Sequence, residues 1–508
     1  MILGDTEQTG GNRATLDDLF RRAGVRRAQA LALIDPPNGA RLTGGAPRQL
    51  TFAQADRAIS ALAAKLRGLG LPTDTVVAMQ LANTVDGVIA LLGILRARLI
   101  AAPLPLLWRK QEMMAALSRA GAKAIVTSVR IGASAPAEIA RQVAAELFRI
   151  RHICGFGRDL PDGVVPLDDI FAAGPMEFFQ PPARPGNGGA HIAAVTFDVA
   201  GNGVVPVARS HSELIAGGLA VFLEGGMAEG TNVLSAIPLG SFAGIALSVV
   251  PWLLGGGALA LHHGFDPGVF AEQCRTHDAA TVVLPGPALA PLADAGLLGA
   301  PIKSILALWR APEQLAGSRP WPGDAALIDI ASFGETGLLP ARRGPDRMPA
   351  PIPHGAIATP RGAAGAVATI ETMRSKSGTL ALRGPMVPAQ AFPPGTAPGG
   401  EARIALDGFI DTGFPCRLDR AAGTLALTGP PAGITAVGFY RFRQREIDAA
   451  LADADPAAII AALPDAALGH RLAGSARDPA ATAAKLQARG VNALIAGAFR
   501  PRGKANAA

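Results

Sequence analysis

Segments of strand length and segments of helix length alternate through the first part of the chain, and this alternation limits the folds open to it. Residues 76–81 (VVAMQL) are typical of a buried strand, residues 85–100 (VDGVIALLGILRARLI) have the length of a helix, and residues 101–107 (AAPLPLL) indicate the next strand. Residues 112–128 (EMMAALSRAGAKAIVTS) repeat the order of helix and strand. Because a helix is the usual crossover between parallel strands, the pattern predicts an α/β fold with parallel sheets.

Local signals mark the ends of two early helices. Thr15 precedes the segment LDDLFRRA, and Thr51 precedes the amphipathic segment FAQADRAISALAAKLR, so each threonine is placed to cap a helix N-terminus. Gly68 and Gly70 follow the second segment and predict the end of its helix.

The composition indicates a globular protein and excludes several other classes. Of 508 residues, 49% are hydrophobic and 17% are charged, which argues against a disordered chain. The net charge of +7 is scattered along the chain and only one tyrosine is present, so no nucleic-acid partner is expected. The three cysteines lack metal-binding or redox spacing, and the first residues lack the pattern of a signal peptide. A cytoplasmic protein is therefore predicted.

One apolar segment, residues 242–261, has about the length of a membrane span. It contains Pro251 and the triplet Gly255–Gly257, which are typical of a turn. We therefore expect a buried helix, a glycine turn and a buried strand in this segment, and no membrane span.

Segments rich in proline and glycine divide the chain into predicted domains. These segments are residues 181–189, 340–364 and 392–400. We predict a large N-terminal domain over residues 1–430 and a shortened C-terminal domain over residues 434–508. The predicted subdomains of the larger domain are about 1–180, 190–340 and 341–430.

A short segment with glycines lies between an apolar, strand-like run and a helix-like stretch. In TFDVAGNGVVPVARSH, residues 196–211, the glycines are Gly201 and Gly203. Glycines between a strand and a helix are typical of a phosphate-binding loop. Between its first threonine and its last serine, however, the segment has neither a lysine nor a hydroxyl side chain. A nucleotide loop, a disabled loop and a simple turn therefore all stay open.

Several segments, taken in order, resemble the signature segments of the adenylate-forming superfamily of acyl-CoA synthetases, luciferases and peptide-synthetase adenylation domains. The resemblance covers nearly the whole chain, and the order and spacing of the segments carry it. The segments are LTFAQADRAISALAAKLRGLGL, VVAMQLANTVDGVIALLGILRARLIAAPLPLLWRKQE, IPLGSFAGIALSVVPWLLGGGALAL, KSGTLALRGPMVP, DGFIDTGFPCRLD and AVGFYRFRQREIDAAL.

The resemblance implies a fold and a reaction. The implied fold is a large N-terminal domain of two α/β subdomains plus a distorted β-barrel, followed by a small, here shortened, α+β C-terminal domain that rotates between two half-reactions. In the implied reaction a carboxylic acid attacks the α-phosphate of ATP, and a thiol, usually of coenzyme A, then displaces AMP. The implied ligands are ATP or AMP, coenzyme A and a small carboxylate or acyl thioester, and a homodimer is the implied assembly.

The resemblance places residues 196–211 at the phosphate-binding motif of the family, but the matching side chains differ. Asp198 stands at a serine position, Val204 at the proline, and Val205 at the lysine. A carboxylate at this place would repel phosphate. Gly201 and Gly203 are the implied remnant of the nucleotide loop.

The segment SFGETG resembles a second nucleotide-binding motif. Phe333 and Gly334 match its adenine-stacking part, and Thr336 matches a hydroxyl that faces the phosphates. Gly337 replaces the glutamate that holds Mg²⁺, so magnesium binding is doubtful, although Glu335 is adjacent in sequence.

Unusual residues stand at the implied adenine pocket and acyl pocket. Trp309 and Arg310 replace small residues that line the adenine pocket. Arg310 either holds a carboxylate or phosphate, or pairs with an acid such as Glu335; we favour the ion pair. The implied acyl-pocket residues are Ser241, Phe242 and Gly244.

The last two motifs are altered as well. Phe414 stands where the family has the ribose-binding aspartate, and Ala436 replaces the first lysine of the C-terminal domain. Pro430 and Gly433 replace an arginine and the hinge acid. The segment RPRGK resembles the end of the family's final lysine motif, which makes Lys504 the implied adenylation lysine. A basic tail without a role in the site is the alternative.

In the family, the side chains that are replaced here hold the phosphates, Mg²⁺ and the ribose. We therefore predict that conventional adenylation is weakened or lost. Thr336 and Lys504 are the predicted catalytic residues of any activity that remains. Three functions stay open. The first is a working acid–thiol ligase, and the second is a non-catalytic protein that binds an acyl group, an acyl thioester or a partner. The third is an ATP-independent acyl transferase. Residues 242–246 favour an aliphatic or aryl acid over an amino acid. No metal site is predicted, because His262 and His263 would point to opposite faces of a strand.

Overall fold

The structure of the chain is a computed structural model, and it describes residues 14–172, 179–201, 203–358, 368–388, 392–393, 406–438, 440–465 and 469–499. The helices are α1 (Leu16–Arg27), α2 (Gly39–Thr43), α3 (Phe52–Gly68), α4 (Val85–Arg96), α5 (Lys110–Ala120), α6 (Pro136–Glu146), α7 (His211–Glu224), α8 (Phe242–Gly244), α9 (Val250–Gly255), α10 (Pro267–Thr276), α11 (Leu289–Asp294), α12 (Gln444–Ala454), α13 (Pro479–Ala488) and α14 (Ala493–Gly497).

The strands fall in five sheets. They are β1 (Leu31–Ile34), β2 (Gln49–Thr51), β3 (Val76–Met79), β4 (Ile100–Pro103), β5 (Ala124–Ser128), β6 (His152–Phe156), β7 (Val164–Pro166), β8 (Ile192–Ala200), β9 (Gly203–Ser210), β10 (Val233–Ser235), β11 (Leu259–Leu261), β12 (Thr281–Pro285), β13 (Ser304–Trp309), β14 (Ala326–Phe333), β15 (Gly337–Arg342), β16 (Ile352–Pro353), β17 (Gly355–Ala358), β18 (Ala368–Arg374), β19 (Thr379–Arg383), β20 (Ile410–Asp419), β21 (Thr424–Leu427), β22 (Ile434–Val437), β23 (Tyr440–Arg443), β24 (Ile459–Asp465) and β25 (Gly469–Ser475).

Two sheets with parallel centres form the larger part of the molecule. The first has the order β7-β6-β5-β3-β4-β8-β9, and only its β8–β9 pair is antiparallel. The second has the order β15-β14-β13-β12-β10-β11-β1-β2, with antiparallel pairs at its two edges. Side chains of both sheets and of α3, α4 and α7 share one hydrophobic core. The predicted α/β fold with parallel sheets is confirmed.

The remaining strands form smaller antiparallel sheets. One has the order β16-β21-β20-β19-β18-β17 and follows the second parallel sheet in sequence. The last part of the chain has two hairpins, β22–β23 and β24–β25, which pack with α12, α13 and α14 around a separate hydrophobic cluster. This small α+β unit follows the large one, as the family's fold implies.

The helix ends and the apolar segment agree with the sequence. The Thr51 hydroxyl accepts a hydrogen bond from the backbone N–H of Gln54 at 3.2 Å, and α3 ends at Gly68. Residues 242–261 form α8, a π-helical turn, α9, a glycine turn and β11. None of the helices in the described part of the chain combines the length and the apolar character that crossing a bilayer requires.

Candidate active site

The segment that resembles a phosphate loop is a regular β-hairpin. Asp198 pairs with Val205, Val199 with Val204, and Ala200 with Gly203. Gly201 lies in the turn, and Gly203 has a φ of 119°, which favours glycine. The main chain of the segment is therefore a hairpin with a tight turn. Strand pairing uses backbone groups of these residues, so the segment is not a nest of N–H groups that point at an anion.

Asp198 joins the hairpin to the C-terminal unit. Its carboxylate accepts hydrogen bonds from Arg441 Nη1 at 2.7 Å, from the Val199 N–H at 2.8 Å, and from the Glu335 N–H at 3.2 Å. The side chains of Asp198 and Arg441 are 9% and 7% exposed, so the ion pair is shielded from solvent. A second bridge between the units is the hydrogen bond from the Leu107 N–H to the Tyr440 hydroxyl, at 2.9 Å.

A second acid and a second arginine lie beside this pair. The Glu335 carboxylate is buried and accepts a hydrogen bond from the Phe242 N–H at 2.7 Å. Its nearest approach to the Arg310 guanidinium is 3.9 Å, whereas Arg310 donates directly to the Ser241 hydroxyl. Burial raises the pKa of Glu335 and lowers the pKa of Arg310, because each loses hydration of its charged form.

Arg209 is a site residue that no motif singled out. It is fully buried at the end of β9 and donates to the backbone carbonyls of Met386, Glu335 and Thr336. Its guanidinium carbon lies 3.6 Å from the centroid of the Phe242 ring. Burial lowers its pKa to about 10, so it stays charged at neutral pH. Arg209 thereby fixes the position of the segment that carries Thr336. An arginine on a strand is ordinarily exposed, so no local pattern indicated this role.

The segment SFGETG packs against the altered ribose motif. The rings of Phe333 and Phe414 meet edge to face with centroids 5.5 Å apart, and both side chains are buried. The Arg441 guanidinium lies 5.4 Å from the Phe414 ring. Gly334 has a φ of 60°, and a Cβ there would lie 2.3 Å from Asp198 Oδ2. The structure thus brings Phe333 and Gly334 together with Asp198, Phe414 and Arg441.

Trp309 has its own partners a short distance from this cluster. Its indole N–H donates to Asp329 at 2.9 Å, and Asp329 pairs with Arg343 at 2.7 Å. The ring lies directly over Gly286, where a Cβ would be 2.4 Å from it. The indole is therefore held in place from two sides.

The implied acyl-pocket residues form a tight helix start. The Ser241 hydroxyl accepts a hydrogen bond from the Gly244 N–H at 3.2 Å and so caps α8. A Cβ at Gly244 would lie 2.0 Å from the Pro238 carbonyl oxygen, so only glycine fits there. Phe242 is fully buried under Arg209.

A cavity of about 50 Å³ lies at the centre of these groups. Its polar lining includes Asp198, Ser241, Arg310 and Arg441, and its apolar lining includes the aromatic pair Trp108 and Phe197, Leu106 and Val199. Pockets that bind cofactors or drug-sized ligands typically measure about 300–1,000 Å³. In this conformation the cavity accommodates a few waters or a very small group.

Some predicted site residues are elsewhere. Lys504 lies outside the described residues, so its predicted role is untested. His262 bonds to Gln273 at 2.6 Å, which makes it part of the packing. Among the residues that the structure describes, no group of three or more histidine, cysteine or acidic side chains is arranged to hold a metal ion.

Comparisons with known proteins connect this geometry to a family. Residues 20–160 match the family described as AMP-binding enzyme. The amide bond synthetase McbA from Marinactinospora thermotolerans superposes with a TM-score of 0.71 at 20% identity, over 94% of each chain. The chain has the fold of the adenylate-forming enzymes. The fold that the resemblance implied is thereby confirmed.

Two further structures share the adenylate-forming fold. The o-succinylbenzoate CoA synthetase MenE from Bacillus subtilis gives a TM-score of 0.69 at 15% identity, over 95% of this chain and 93% of MenE. MbtA from Mycobacterium smegmatis gives 0.63 at 20% identity, over 95% and 90%. No curated protein matches the sequence. At these identities the likeness establishes the adenylate-forming fold and leaves the chemistry to the site.

Proposed function

We propose that this protein is an acyl-CoA synthetase-like member of the adenylate-forming group in which Mg-ATP-dependent adenylation is weakened or lost. Its ligand is a small aliphatic or aryl carboxylate, or the acyl thioester of one, in a cytoplasmic setting. The observation that carries the proposal is the Asp198 carboxylate, a residue that the resemblance aligns with the phosphate loop, which is held in place by Arg441 and two backbone N–H groups.

The charge at this position argues against a triphosphate. An incoming phosphate would meet the Asp198 carboxylate, and it would gain Arg441 only by breaking an ion pair in which both side chains are buried. Part of the hairpin main chain is engaged in strand pairing, the Val199 N–H is bonded to Asp198, and the side chains of Val204 and Val205 supply no donor. Adenylyl transfer depends on donors and cations placed around the phosphates, and the one lysine or arginine of this segment, Arg209, is bonded to the backbone carbonyls of Met386, Glu335 and Thr336.

The remaining nucleotide positions support the same proposal. Phe414 packs edge to face on Phe333, so the place aligned with the ribose acid holds an aromatic ring. Trp309 occupies the place aligned with the adenine pocket, and the neighbouring cavity measures about 50 Å³. Losing one oxyanion-stabilising donor costs on the order of 100-fold or more in rate. Side chains that act together do not contribute additively, so the combined loss is not a simple product. These residues do not fit Mg-ATP.

An alternative is a protein that keeps the fold to bind an acyl group, an acyl thioester or a partner, or that transfers an acyl group without ATP. The aromatic rings of Trp108 and Phe197 beside Arg310 favour this alternative, because after the cavity widens beyond its present volume of about 50 Å³ they would contact an apolar acyl group whose oxygen lies near Arg310. The competing proposal is a ligase that retains activity through Thr336 and Lys504. It would use coenzyme A as the thiol and would form a homodimer.

Isothermal titration calorimetry with Mg-ATP and with AMP separates these proposals. We expect no heat of binding from either nucleotide at high micromolar protein concentration, and an active adenylate-forming enzyme serves as the positive control. Binding of either nucleotide would contradict the proposal and favour the ligase. In that case Lys504→Ala would test the lysine, because it should remove adenylation while the protein still folds.

A further inference from the structure

A second cavity, of about 500 Å³, lies at the amino ends of three strands of the first sheet. Val76 begins β3, Ile100 begins β4, Ile192 begins β8, and all three line the cavity. Asp198 lies six residues farther along β8, which at about 3.3 Å per residue places it about 20 Å from Ile192. The cavity is therefore separate from the candidate active site, which lies at the carboxyl ends of its strands.

Positive charge dominates the described lining of this cavity. Lys123, which directly precedes β5, is exposed, and no carboxylate partner for its ammonium group is found in the described part of the chain. The Arg184 side chain is only 8% exposed and pairs with Asp74, the one acid among the lining residues. The Arg184 Nε is buried without a hydrogen-bond partner. Two cations and one acid leave a net positive potential at this place.

The rest of the lining combines apolar side chains with hydroxyl groups. Val76, Ile100 and Ile192 are apolar residues of the lining, and Thr73 and Thr75 line the cavity as well. The volume of about 500 Å³ falls in the range of ordinary small-molecule pockets. We infer that this cavity binds an organic anion, a carboxylate or phosphate carried on an apolar body, with its charged head toward Lys123 and Arg184.

The position of the cavity gives a bound anion a structural consequence. Arg184, Ala190 and His191 belong to the segment that leads into β8, while the opposite wall belongs to the sheet. His191 Nε2 lies 2.9 Å from the Pro185 carbonyl oxygen, which ties this segment to itself. A ligand between the two walls would hold the connecting segment against the sheet. Binding should therefore also slow proteolysis within residues 181–191.

Titration calorimetry with three chosen probes tests the inference. The probes are 4-phenylbutyrate, phenyl phosphate and the neutral 4-phenylbutyramide. We expect at least one of the two anions to bind and the amide to bind at least about tenfold more weakly, because it lacks the charge-assisted hydrogen bonds. Affinity should fall as salt is added. If one anion alone binds, its head group identifies the ligand class. Absence of binding by both anions, or equal binding of the amide, would overturn the inference.

Variants locate the binding. Lys123→Ala should lower the affinity for the anion about five- to tenfold, and Ala190→Trp should abolish binding by filling the cavity. Lys303→Ala is the matched control, since Lys303 is also exposed and directly precedes a parallel strand, β13. Arg310→Ala should leave this binding intact, because Arg310 belongs to the other cavity. If Lys123→Ala and a folded Ala190→Trp bind like the wild type, the inference is wrong. If circular dichroism shows that Ala190→Trp does not fold, the affinity of Lys123→Ala for the anion tests the inference.

Discussion

The Asp198 carboxylate and the Arg441 guanidinium, 243 residues apart in the chain, are joined by a 2.7 Å hydrogen bond in which both side chains are buried. This ion pair connects the β8–β9 hairpin with the first hairpin of the C-terminal unit. The resemblance to the adenylate-forming enzymes implies a bound phosphate at this position, and the structure has an internal ion pair there.

Arg441→Ala should loosen the contact between the two units. It leaves a buried carboxylate without its cation, which costs about 3 kcal/mol or more. That cost corresponds to roughly 100-fold faster hydrogen exchange by opening of the interface. Exchange measured by mass spectrometry should rise in peptides that contain Leu107 and the hairpin. Arg489→Ala is the control, because its ion pair with Asp453 is exposed and should be worth under about 1 kcal/mol. Unchanged exchange in Arg441→Ala would refute the role given to this pair.

Phe414→Ala should destabilise the large unit by about 3–5 kcal/mol, because it leaves a cavity beside Phe333. Urea unfolding followed by far-ultraviolet circular dichroism measures the change. Phe148→Ala is the control: Phe148 is 81% exposed, and its loss should change stability by less than about 0.5 kcal/mol. Equal, small effects of the two substitutions would mean that the Phe414 ring is not packed as described.

Asp86 should make stability fall as the pH rises. Burial raises its pKa from 3.8 to about 7, and the nearby Asp35 and Asp168 add to the rise, while Arg48, 2.7 Å away, opposes it. The folded state therefore favours the protonated acid, and its contribution is present at low pH and lost between about pH 4 and 7. As the pH rises over this range, the unfolding free energy of Asp86→Asn should increase relative to that of the wild type, by on the order of a few kcal/mol.

Urea titrations at several pH values measure this gain for Asp86→Asn. Asp324→Asn, at an exposed carboxylate, is the control. A difference between Asp86→Asn and wild type that stays constant or shrinks with rising pH would contradict the expected sign.

His211 should have the opposite effect. Burial lowers its pKa from 6.5 to about 3, with Arg184 and Arg98 adding to the shift, and its Nδ1 accepts a hydrogen bond from the Leu16 N–H at 3.2 Å. The folded state favours the neutral ring, so this contribution is present above about pH 6.5 and is lost as the pH falls toward 3.

The advantage of the wild type over His211→Asn, which keeps an acceptor near Nδ1, should therefore shrink as the pH is lowered from 7 to 4. Unfolding by urea at fixed ionic strength measures it, with the exposed His354→Asn as control. A growing advantage at low pH would show that the ring is protonated in the folded state.

The sequence predicted those parts of the fold that depend on local patterns. Thr51 caps α3 because a hydroxyl before an amphipathic run satisfies free N–H groups, and this physics needs only neighbours in sequence. The order of the motifs likewise predicted the adenylate-forming fold. The strand limits differ: the segment expected at 101–107 is β4 at Ile100–Pro103, because the chain turns at Leu106 and Leu107 soon after the last bond to β3, from the Leu104 N–H to the Met79 carbonyl.

The site could be predicted only in part, because its key contacts join distant segments. Sequence reasoning named Asp198 and Arg310, and it favoured a pair between Arg310 and Glu335. The structure has those two groups as an ion pair at 3.9 Å, and it adds a hydrogen bond from Arg310 to the Ser241 hydroxyl that no sequence pattern indicated. The partners of Arg209 lie 126 to 177 residues away, and no local pattern reports such contacts.

The pairing of Asp198 with Val205 and of Val199 with Val204 is made by the main chain, which does not depend on which side chains are attached. A serine at position 198 and a lysine at position 205 would change side chains of the hairpin. The backbone hydrogen bonds between its strands would stay in place. An anion-binding loop here would require a change in the length of the segment, so that β8 and β9 no longer pair up to the turn. An anion-binding loop at this place would thus need a different main chain and not only different side chains.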